Sequence, residues 1–273
     1  MSRTDPEHAD LRVLTYNVLS PAHADWPARR KVITAGIADL DPDVLLLQEV
    51  TEDLVDRPHA WHSQRSADGV GAALYSRWPI TAVHEQDLRV TPRADLPWSA
   101  VVVAEIDAPF GTLLVAHHKP TWHVGYALER ELQAVAAARF IEKHAFERDV
   151  HVILAGDFDD TPDSASVRFF TGHQSLQQTS VAYRDAWAAV HPTEAGLTFS
   201  AANPLVRAGE MALELGRRID YVMVRCGIHG PTLDVAGCRL AFDEPVDGVW
   251  ASDHFGVMAD LRVPAHAPGA WER

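Results

Sequence analysis

The sequence contains little cysteine, no long apolar segment and no long run of basic residues. Cys226 and Cys238 are the only cysteines in 273 residues, too few for the disulfide framework of a small secreted domain, so both are expected to be free thiols. No window approaches the roughly eighteen apolar residues of a membrane-spanning helix. The polar N-terminal segment MSRTDPEHADLR lacks the apolar core of a secretion signal. These absences predict a cytoplasmic protein without membrane attachment.

The chain is also short of positive charge. It carries 24 Lys and Arg against 38 Asp and Glu, a formal net charge of −14. This balance argues against broad, non-specific binding to DNA or RNA, because such binding depends on neutralising phosphates. A local basic groove, or a divalent cation held by clustered carboxylates, would still allow a polyanionic ligand.

The hydrophobic residues, 47% of the chain, are enough to form a sizeable core. Short runs of branched apolar residues bounded by turn-forming residues predict buried strands. These runs are LRVLTYNVL, DVLLLQEV, GAALYS, SAVVVAEID, GTLLVAHH, DVHVILAGD, RIDYVMVR and FGVMADLRV. Apolar residues at three- and four-residue spacings predict helices over 28–40 and 126–147.

Strands mixed with helices predict an α/β (α+β) fold in which helices cover the sheets. The neighbouring runs GAALYS and SAVVVAEID are expected to pair as a hairpin. No Ser/Gly linker, repeat or low-complexity tract interrupts the sequence. We therefore expect a single domain over 10–264 with short tails at 1–9 and 265–273.

Polar side chains recur at the ends of the predicted strands. They are Asn17, Glu49, His118, Asp157, Asp220, Asp253 and His254. Each alone has an ordinary explanation as a turn, cap or solvated residue. The set does not, because strand ends can converge on one cleft and converging carboxylates repel unless a cation holds them. Oxygen ligands without cysteine suit Mg²⁺ or Mn²⁺, with Ca²⁺ and Zn²⁺ as alternatives.

Several of these residues lie in short motifs that occur in a recognisable order. The motifs are TYNV (15–18), LLQEV (46–50), SRWPI (76–80), LLVAHHKP (113–120), AGDFD (155–159), RRIDYVMV (217–224) and SDHFGV (252–257). In this order they resemble the endonuclease/exonuclease/phosphatase superfamily of metal-dependent phosphoesterases, which includes DNase I-like nucleases and sphingomyelinases. The resemblance implies a DNase I-like, four-layered sandwich of two packed mixed β-sheets flanked by helices, with a cleft at one end.

The resemblance also implies a metal site. Glu49 corresponds to the main metal carboxylate, and Asn17 lies beside it within reach of a phosphate oxygen. Asp253 and Asp157 would complete the site or bind through water. Asp157 would in addition activate or hold the attacking water.

Two histidines are implied to face the phosphate. His254 would hydrogen-bond the scissile phosphate or assist proton transfer, and Asp220 would orient its imidazole and favour the charged form. His118 resembles a second phosphate-facing histidine that stabilises charge on the phosphoryl oxygens. His117 would point to the opposite side of an extended strand, and His118 fits the family pattern better. Lys119 and Arg218, with Arg217, are candidate phosphate contacts, although long basic residues usually face water.

Asp159 departs from the resemblance, because many family members carry Asn there. An ionised Asp cannot donate the hydrogen bond that Asn can. Three hypotheses follow: Asp159 binds a second cation, so that one or two ions are present; crowded neighbours protonate it; or the site is inactive. The first is preferred.

The sequence thus predicts a divalent-metal-dependent phosphoesterase, and more specifically a phosphodiesterase, that activates water. A DNA or RNA nuclease is the alternative within enzymes, and a small phosphoester is slightly favoured over nucleic acid because the chain is acidic. A catalytically inactive binding module on the same fold is the alternative of another class. The oligomeric state is not indicated by the sequence.

Overall fold

The computed structural model describes residues 10–51, 53–64 and 66–266. The predicted tails lie outside these ranges, apart from positions 265 and 266, and the single domain over 10–264 stays a prediction.

The first sheet has six strands in the order β12-β13-β1-β2-β4-β3. Its strands are β1 (Leu11–Asn17), β2 (Val44–Val50), β3 (His59–Gln64), β4 (Gly71–Ser76), β12 (Asp234–Ala241) and β13 (Gly256–Arg262). β1 and β2 run parallel, with Asn17 opposite Gln48. β13 runs antiparallel to β1.

The second sheet has seven strands in the order β11-β10-β8-β7-β6-β5, and β9 pairs with β10. Its strands are β5 (Ile80–Asp87), β6 (Ala100–Ala108), β7 (Gly111–Lys119), β8 (His151–Asp157), β9 (Tyr183–Asp185), β10 (Asp220–Gly227) and β11 (Gly230–Pro231). β7 and β8 run parallel. β10 runs antiparallel to β8 and places Asp220 directly opposite Asp157.

The described residues form the helices α1 (Trp26–Leu40), α2 (Ala127–Ala145), α3 (Ala165–Phe170), α4 (Ala186–Val190) and α5 (Pro204–Ala208). The first three cover the outer faces of the sheets, whereas α4 contributes Ala186 and Trp187 to the core between the sheets. One core lies between the two sheets, a second packs α2 and α3 against the second sheet, and a third packs α1 against the first sheet. The predicted four-layered sandwich of two mixed sheets flanked by helices is confirmed.

Alternation along the strands decides which layer each side chain enters. In β8, Ile153 and Ala155 lie in the core between the sheets, whereas Val152 and Leu154 face the helices. Both faces are buried, which explains why the strand is an unbroken apolar run. The same alternation directs Asp157, two residues after Ala155, into the space between the sheets.

All eight runs predicted as strands form strands, and both predicted helices are present. The predicted hairpin is wrong. GAALYS is β4, which pairs with β2 and β3, whereas SAVVVAEID is β6, which pairs with β5 and β7. The sequence pattern did not show β5, because none of its residues is fully buried, and this strand takes the chain from one sheet to the other.

Two predictions about absences can be compared with the described residues. Cys226 and Cys238 are both free, as expected. Of the helices within the described ranges, none is both long and apolar enough to cross a membrane.

Candidate active site

Strand ends from both sheets meet at one edge of the sandwich. Because β1 lies parallel to β2 and β7 lies parallel to β8, the carboxyl ends of each pair lie side by side. β10 and β13 run antiparallel to β8 and β1, so their amino ends come to the same edge. A cleft of about 520 Å³ opens there, and its polar lining includes Glu49, Lys119, Asp157, Asp159, Asp253 and His254.

Asn17 connects the two sheets at this edge. Its Nδ2 donates to Glu49 Oε1 and to Asp157 Oδ2, both at 3.0 Å, and its Oδ1 accepts from the backbone N of Leu19 at 3.0 Å. Asn17 is buried, so these three hydrogen bonds and not solvent determine the orientation of the amide.

Glu49 enters the cleft because β2 bulges. The pairing register with β4 shifts between Gln48 and Val50, and Glu49 has a φ of 62°, a left-handed conformation that is uncommon for residues other than glycine. The bulge re-aims a side chain that strict alternation would direct elsewhere. Glu49 Oε2 also accepts from the backbone N of Ser20 at 3.2 Å.

The turn after β8 is built around a close backbone approach. Gly156 has a φ of 146°, and a Cβ there would lie 2.1 Å from the carbonyl oxygen of His118, so only glycine fits. Asp157 Oδ1 then accepts from the backbone N of Asp159 at 3.1 Å. Asp159 has a φ of 53°, which returns its carboxylate towards that of Asp157.

Lys119 lies between these two carboxylates. Its Nζ donates to Asp157 Oδ2 at 2.7 Å and to Asp159 Oδ2 at 2.5 Å, and the ammonium group is buried. Burial would raise the pKa of Asp157, but Lys119 and His254 lower it to about 2. Burial and the charge of Asp157 raise the pKa of Asp159 to about 7 despite Lys119. Asp157 is therefore the permanently charged member of the pair.

His254 and Asp220 form a buried dyad. His254 Nδ1 lies 2.9 Å from Asp220 Oδ2. Burial would lower the pKa of His254, but the carboxylates of Asp220 and Asp157 outweigh it and raise the pKa to about 10. His254 is thus an imidazolium at neutral pH whose Nδ1–H is held by Asp220. The backbone N of His254 donates to Ser252 Oγ at 3.2 Å.

The two neighbouring histidines of β7 point to opposite sides of the sheet. His118 packs edge-on against Phe158 and Phe170, with ring centroids 4.9 and 5.5 Å away, in the layer under the helices. Gln48 Nε2 donates to Nε2 of His117 at 2.6 Å between the sheets. Burial lowers the pKa of each histidine to about 3, so both are neutral. The structure does not bring His118 into the cleft.

The two arginines of the RRID motif also separate. Arg218 Nη1 pairs with Asp185 Oδ2 at 2.6 Å in a buried position, and it does not line the cleft. Arg217 does line the cleft, where its Nε donates to Glu214 at 2.7 Å. Strand alternation explains the separation, since adjacent residues before β10 face different layers.

Comparison with known proteins places this geometry in a family. The family model described as the endonuclease/exonuclease/phosphatase family matches residues 14–254. The chain belongs to this family. No curated protein sequence matches the chain.

Solved structures of other proteins share the fold. A truncated Caenorhabditis elegans TDP2 has a TM-score of 0.73 at 12% identity, over 92% of this chain and 97% of that chain. D. rerio TDP2 complexed with single strand DNA product has a TM-score of 0.71 at 17% identity, over 92% and 98%. The endonuclease/exonuclease/phosphatase from Bacteroides vulgatus has a TM-score of 0.67 at 18% identity, over 93% and 99%. At these identities the likeness shows the fold alone.

The donor set fits the divalent metal that this family generally uses. Glu49 and Asp253 share the cleft, and burial and the charge of Glu49 raise the pKa of Asp253, so a cation between the two carboxylates would relieve their repulsion. Asp157, Asp220 and His254 also offer donor atoms within 4.8 Å of one another. That second group is the poorer one, because a protonated His254 has no lone pair for a metal.

Sequence reasoning missed Arg29, which holds the cleft loops in place. Its guanidinium is buried and donates to five backbone carbonyl oxygens, those of residues 18, 19, 20, 23 and 251. It therefore connects the loop after Asn17 to the segment before Asp253. The signal was present in the sequence, since Arg29 lies four residues before Ile33 and on the same buried side of α1.

Proposed function

We propose that this protein is a divalent-metal-dependent phosphodiesterase in which water attacks a phosphoryl centre. The observation that carries the proposal is the pair of hydrogen bonds from Asn17 to Glu49 and Asp157, in the cleft that also contains His254. Side chains from distant parts of the sequence thus converge where both a cation and a phosphate can be bound.

In this proposal Glu49 and Asp253 hold the ion, and Asn17, whose Nδ2 donates to Glu49 Oε1, orients the Glu49 carboxylate. A bound Mg²⁺ or Mn²⁺ would polarise a phosphoryl oxygen and neutralise developing negative charge. Asp157, whose pKa is lowered to about 2, accepts a hydrogen bond from the attacking water and orients it. Its low pKa makes it a positioning group more than a proton acceptor, so the proton that the attacking water loses passes to solvent, to which the cleft is open.

His254 supplies the positive charge opposite Asp157. Asp220 holds Nδ1, which leaves the Nε2–H to donate to a phosphoryl oxygen or to the leaving group. Lys119 limits the repulsion between the phosphate and the Asp157–Asp159 pair, because its ammonium is bonded to both carboxylates.

The charges of the cleft favour a small phosphodiester. Lys119 and Arg217 are the only Lys or Arg among the described residues that line it. Both are already paired, Lys119 with Asp157 and Asp159 and Arg217 with Glu214. A nucleic acid strand needs several free cations along its backbone, whereas a small diester needs the metal and one or two donors. A nuclease stays the second candidate, because D. rerio TDP2 has a similar fold and was solved with a single-strand DNA product.

The test is hydrolysis of bis(p-nitrophenyl) phosphate with Mg²⁺ or Mn²⁺, followed by addition of EDTA. We expect turnover that the chelator abolishes and excess metal restores. Glu49→Gln is expected to lower kcat/KM by at least about 10–100-fold, the loss that follows when even a hydrogen-bond partner of a metal ligand is changed, and His254→Gln by about 100-fold or more. The increase in kcat/KM on adding Mg²⁺ or Mn²⁺ would then be measured in both variants.

The matched control is His173→Gln, which changes an exposed histidine outside the cleft and is expected to leave kcat/KM unchanged. If no metal supports turnover, while the protein stays folded and binds a phosphate ester, the inactive binding module is the correct function. A panel of nucleic acid, phospholipid, sugar-phosphate and aryl diesters at fixed metal concentration then ranks the substrates.

A further inference from the structure

A second group of metal-ligating side chains lies outside the cleft. His84 of β5, Glu105 of β6 and His144 of α2 each offer one ligand atom, and these atoms lie within 4.8 Å of one another. β5 is the edge strand of the second sheet and pairs with β6, while α2 covers that sheet. Three different elements therefore bring their donors to one place.

The two imidazoles and the carboxylate already lie close together. The rings of His84 and His144 stack with centroids 4.2 Å apart and planes 21° apart, and His84 Nε2 lies 3.7 Å from Glu105 Oε1. All three residues are half-buried. One donor atom of each residue thus lies within 4.8 Å of the other two, close enough for a shared ion.

The surroundings hold the donors in place. Arg148 donates to both oxygens of Glu105, at 2.9 and 2.8 Å, and its Nη1 also donates to the carbonyl oxygen of His144 at 3.0 Å. Phe140 packs edge-on against the His144 ring with centroids 4.8 Å apart. Supporting contacts of this kind orient the ligands of established metal sites.

The local charge is compatible with a cation. His144 lies in the last turn of α2, where the helix macrodipole presents partial negative charge. The partial negative charge at this end of α2 and the charge of the Glu105 carboxylate offset the positive charge of Arg148. Two histidines and one carboxylate are the ligands of Zn²⁺ and related transition metals, whereas Mg²⁺ prefers oxygen alone.

We propose that His84, Glu105 and His144 form a transition-metal site of the Zn²⁺ class, separate from the cleft. A bound ion would connect edge strand β5 and its neighbour β6 to the carboxyl-terminal end of α2. The site would then stabilise the fold and take no part in hydrolysis.

The test uses Co²⁺ as a spectroscopic probe and Zn²⁺ as its competitor, on metal-free protein. Wild type and the cleft variant Glu49→Gln are both expected to show the visible absorption of Co²⁺ with nitrogen and oxygen ligands, displaced by Zn²⁺. The double variant His84→Ala/His144→Ala is expected to bind Zn²⁺ at least tenfold more weakly. Zn²⁺ should raise the Tm of the wild type but not that of the double variant.

His173→Ala is the matched control, since it removes one exposed imidazole and should leave Zn²⁺ affinity unchanged. Glu105→Gln keeps the shape of the site and is used if the double variant does not fold; it should weaken Zn²⁺ binding at least tenfold. The proposal is overturned if the double variant or Glu105→Gln binds Zn²⁺ as tightly as wild type, or if Glu49→Gln alone abolishes Zn²⁺ binding. Because Zn²⁺ affinity and Tm are read without turnover, failure of the phosphodiesterase proposal leaves this test intact.

Discussion

Three carboxylates stand within four positions of the turn after β8, and two cationic side chains pair with them. Lys119 Nζ bonds Asp157 and Asp159, whereas Asp160 turns to α2 and pairs with Arg130 Nε at 3.0 Å. The ammonium of Lys119 lies where a second cation bound by Asp157 and Asp159 would lie. A single metal on the Glu49 side, with Lys119 as an internal cation, is therefore the simpler interpretation.

Removing that internal cation should be costly. Lys119→Met leaves two buried carboxyl groups facing each other, and we expect the free energy of unfolding to fall by about 3–5 kcal/mol. The loss should be largest at alkaline pH, because Asp159, whose pKa is about 7 with Lys119 present, can relieve the repulsion at lower pH by taking up a proton. Asp159→Asn added to Lys119→Met removes one of the two charges and should recover part of the loss. Urea unfolding in EDTA measures both effects.

Asp159→Asn alone provides the control for the Lys119 experiment, since it leaves the Lys119–Asp157 pair intact. The interpretation fails if Lys119→Met is as stable as wild type. It also fails if the activity of the wild type rises in two phases with Mg²⁺ concentration while that of Asp159→Asn rises in one phase. That result would mean that a second ion is bound at residue 159.

The His254–Asp220 dyad gives a pH dependence with a defined sign. The pKa of His254 is raised to about 10 in the folded protein, against about 6.5 when unfolded. Its contribution to stability is complete below about pH 6.5 and is lost as the pH rises through about 10, by at most about 1.4 kcal/mol per pH unit. In metal-free protein, stability should therefore fall between these pH values more steeply in wild type than in His254→Gln. Parallel pH profiles from chemical unfolding would contradict the assignment.

The sequence could predict which polar residues end the strands, and Asn17, Glu49, Asp157 and His254 are close together in the structure. It could not predict which side of the sheet His118 faces. Of the adjacent residues His117 and His118, the one that points towards the helices depends on how β7 packs against them. Arg218 shows the same limit, since its partner Asp185 lies 33 residues away in sequence. Long-range ion pairs of this kind leave no local pattern.

At the scale of elements, the predictable strands are the central ones. β1, β2, β7 and β8 are buried on both faces and appear as continuous apolar runs. The strands that the sequence did not indicate include β3, β5, β11 and β12, which lie at the ends of the two sheets. β12, for example, alternates exposed and half-buried residues over much of its length. Edge strands have fewer neighbours to bury against, so their sequences carry less of the signal.

The position of the cleft also follows from the elements. Parallel pairing of β1 with β2 and of β7 with β8 places the carboxyl ends of two strands from each sheet at one edge. Asn17 then bonds across from the first sheet to Asp157 of the second. The packing of the sheets thus determines the distance between Glu49 on the first sheet and Asp157 on the second.

At the scale of the whole molecule, the net charge of the protein and the charges of the cleft both favour a small phosphodiester over a polyanion. The net charge of −14 opposes non-specific binding of polyanions. The described Lys and Arg of the cleft are paired with carboxylates of the protein itself. A bound metal would create local positive potential at one point only, which suits a single phosphodiester group.

Single-stranded DNA should accordingly be a poor competitor of small-diester hydrolysis. We expect a short oligonucleotide to inhibit turnover of bis(p-nitrophenyl) phosphate with an inhibition constant above about 10⁻⁴ M, at the weak end of non-specific binding. Because few phosphates would be neutralised, the constant should change little between about 50 and 200 mM salt. Competition kinetics at fixed Mn²⁺ measures both quantities, with inorganic phosphate as the control for simple occupation of the site. Micromolar inhibition that weakens steeply with salt would instead identify the protein as a nuclease with a cationic surface beyond the cleft.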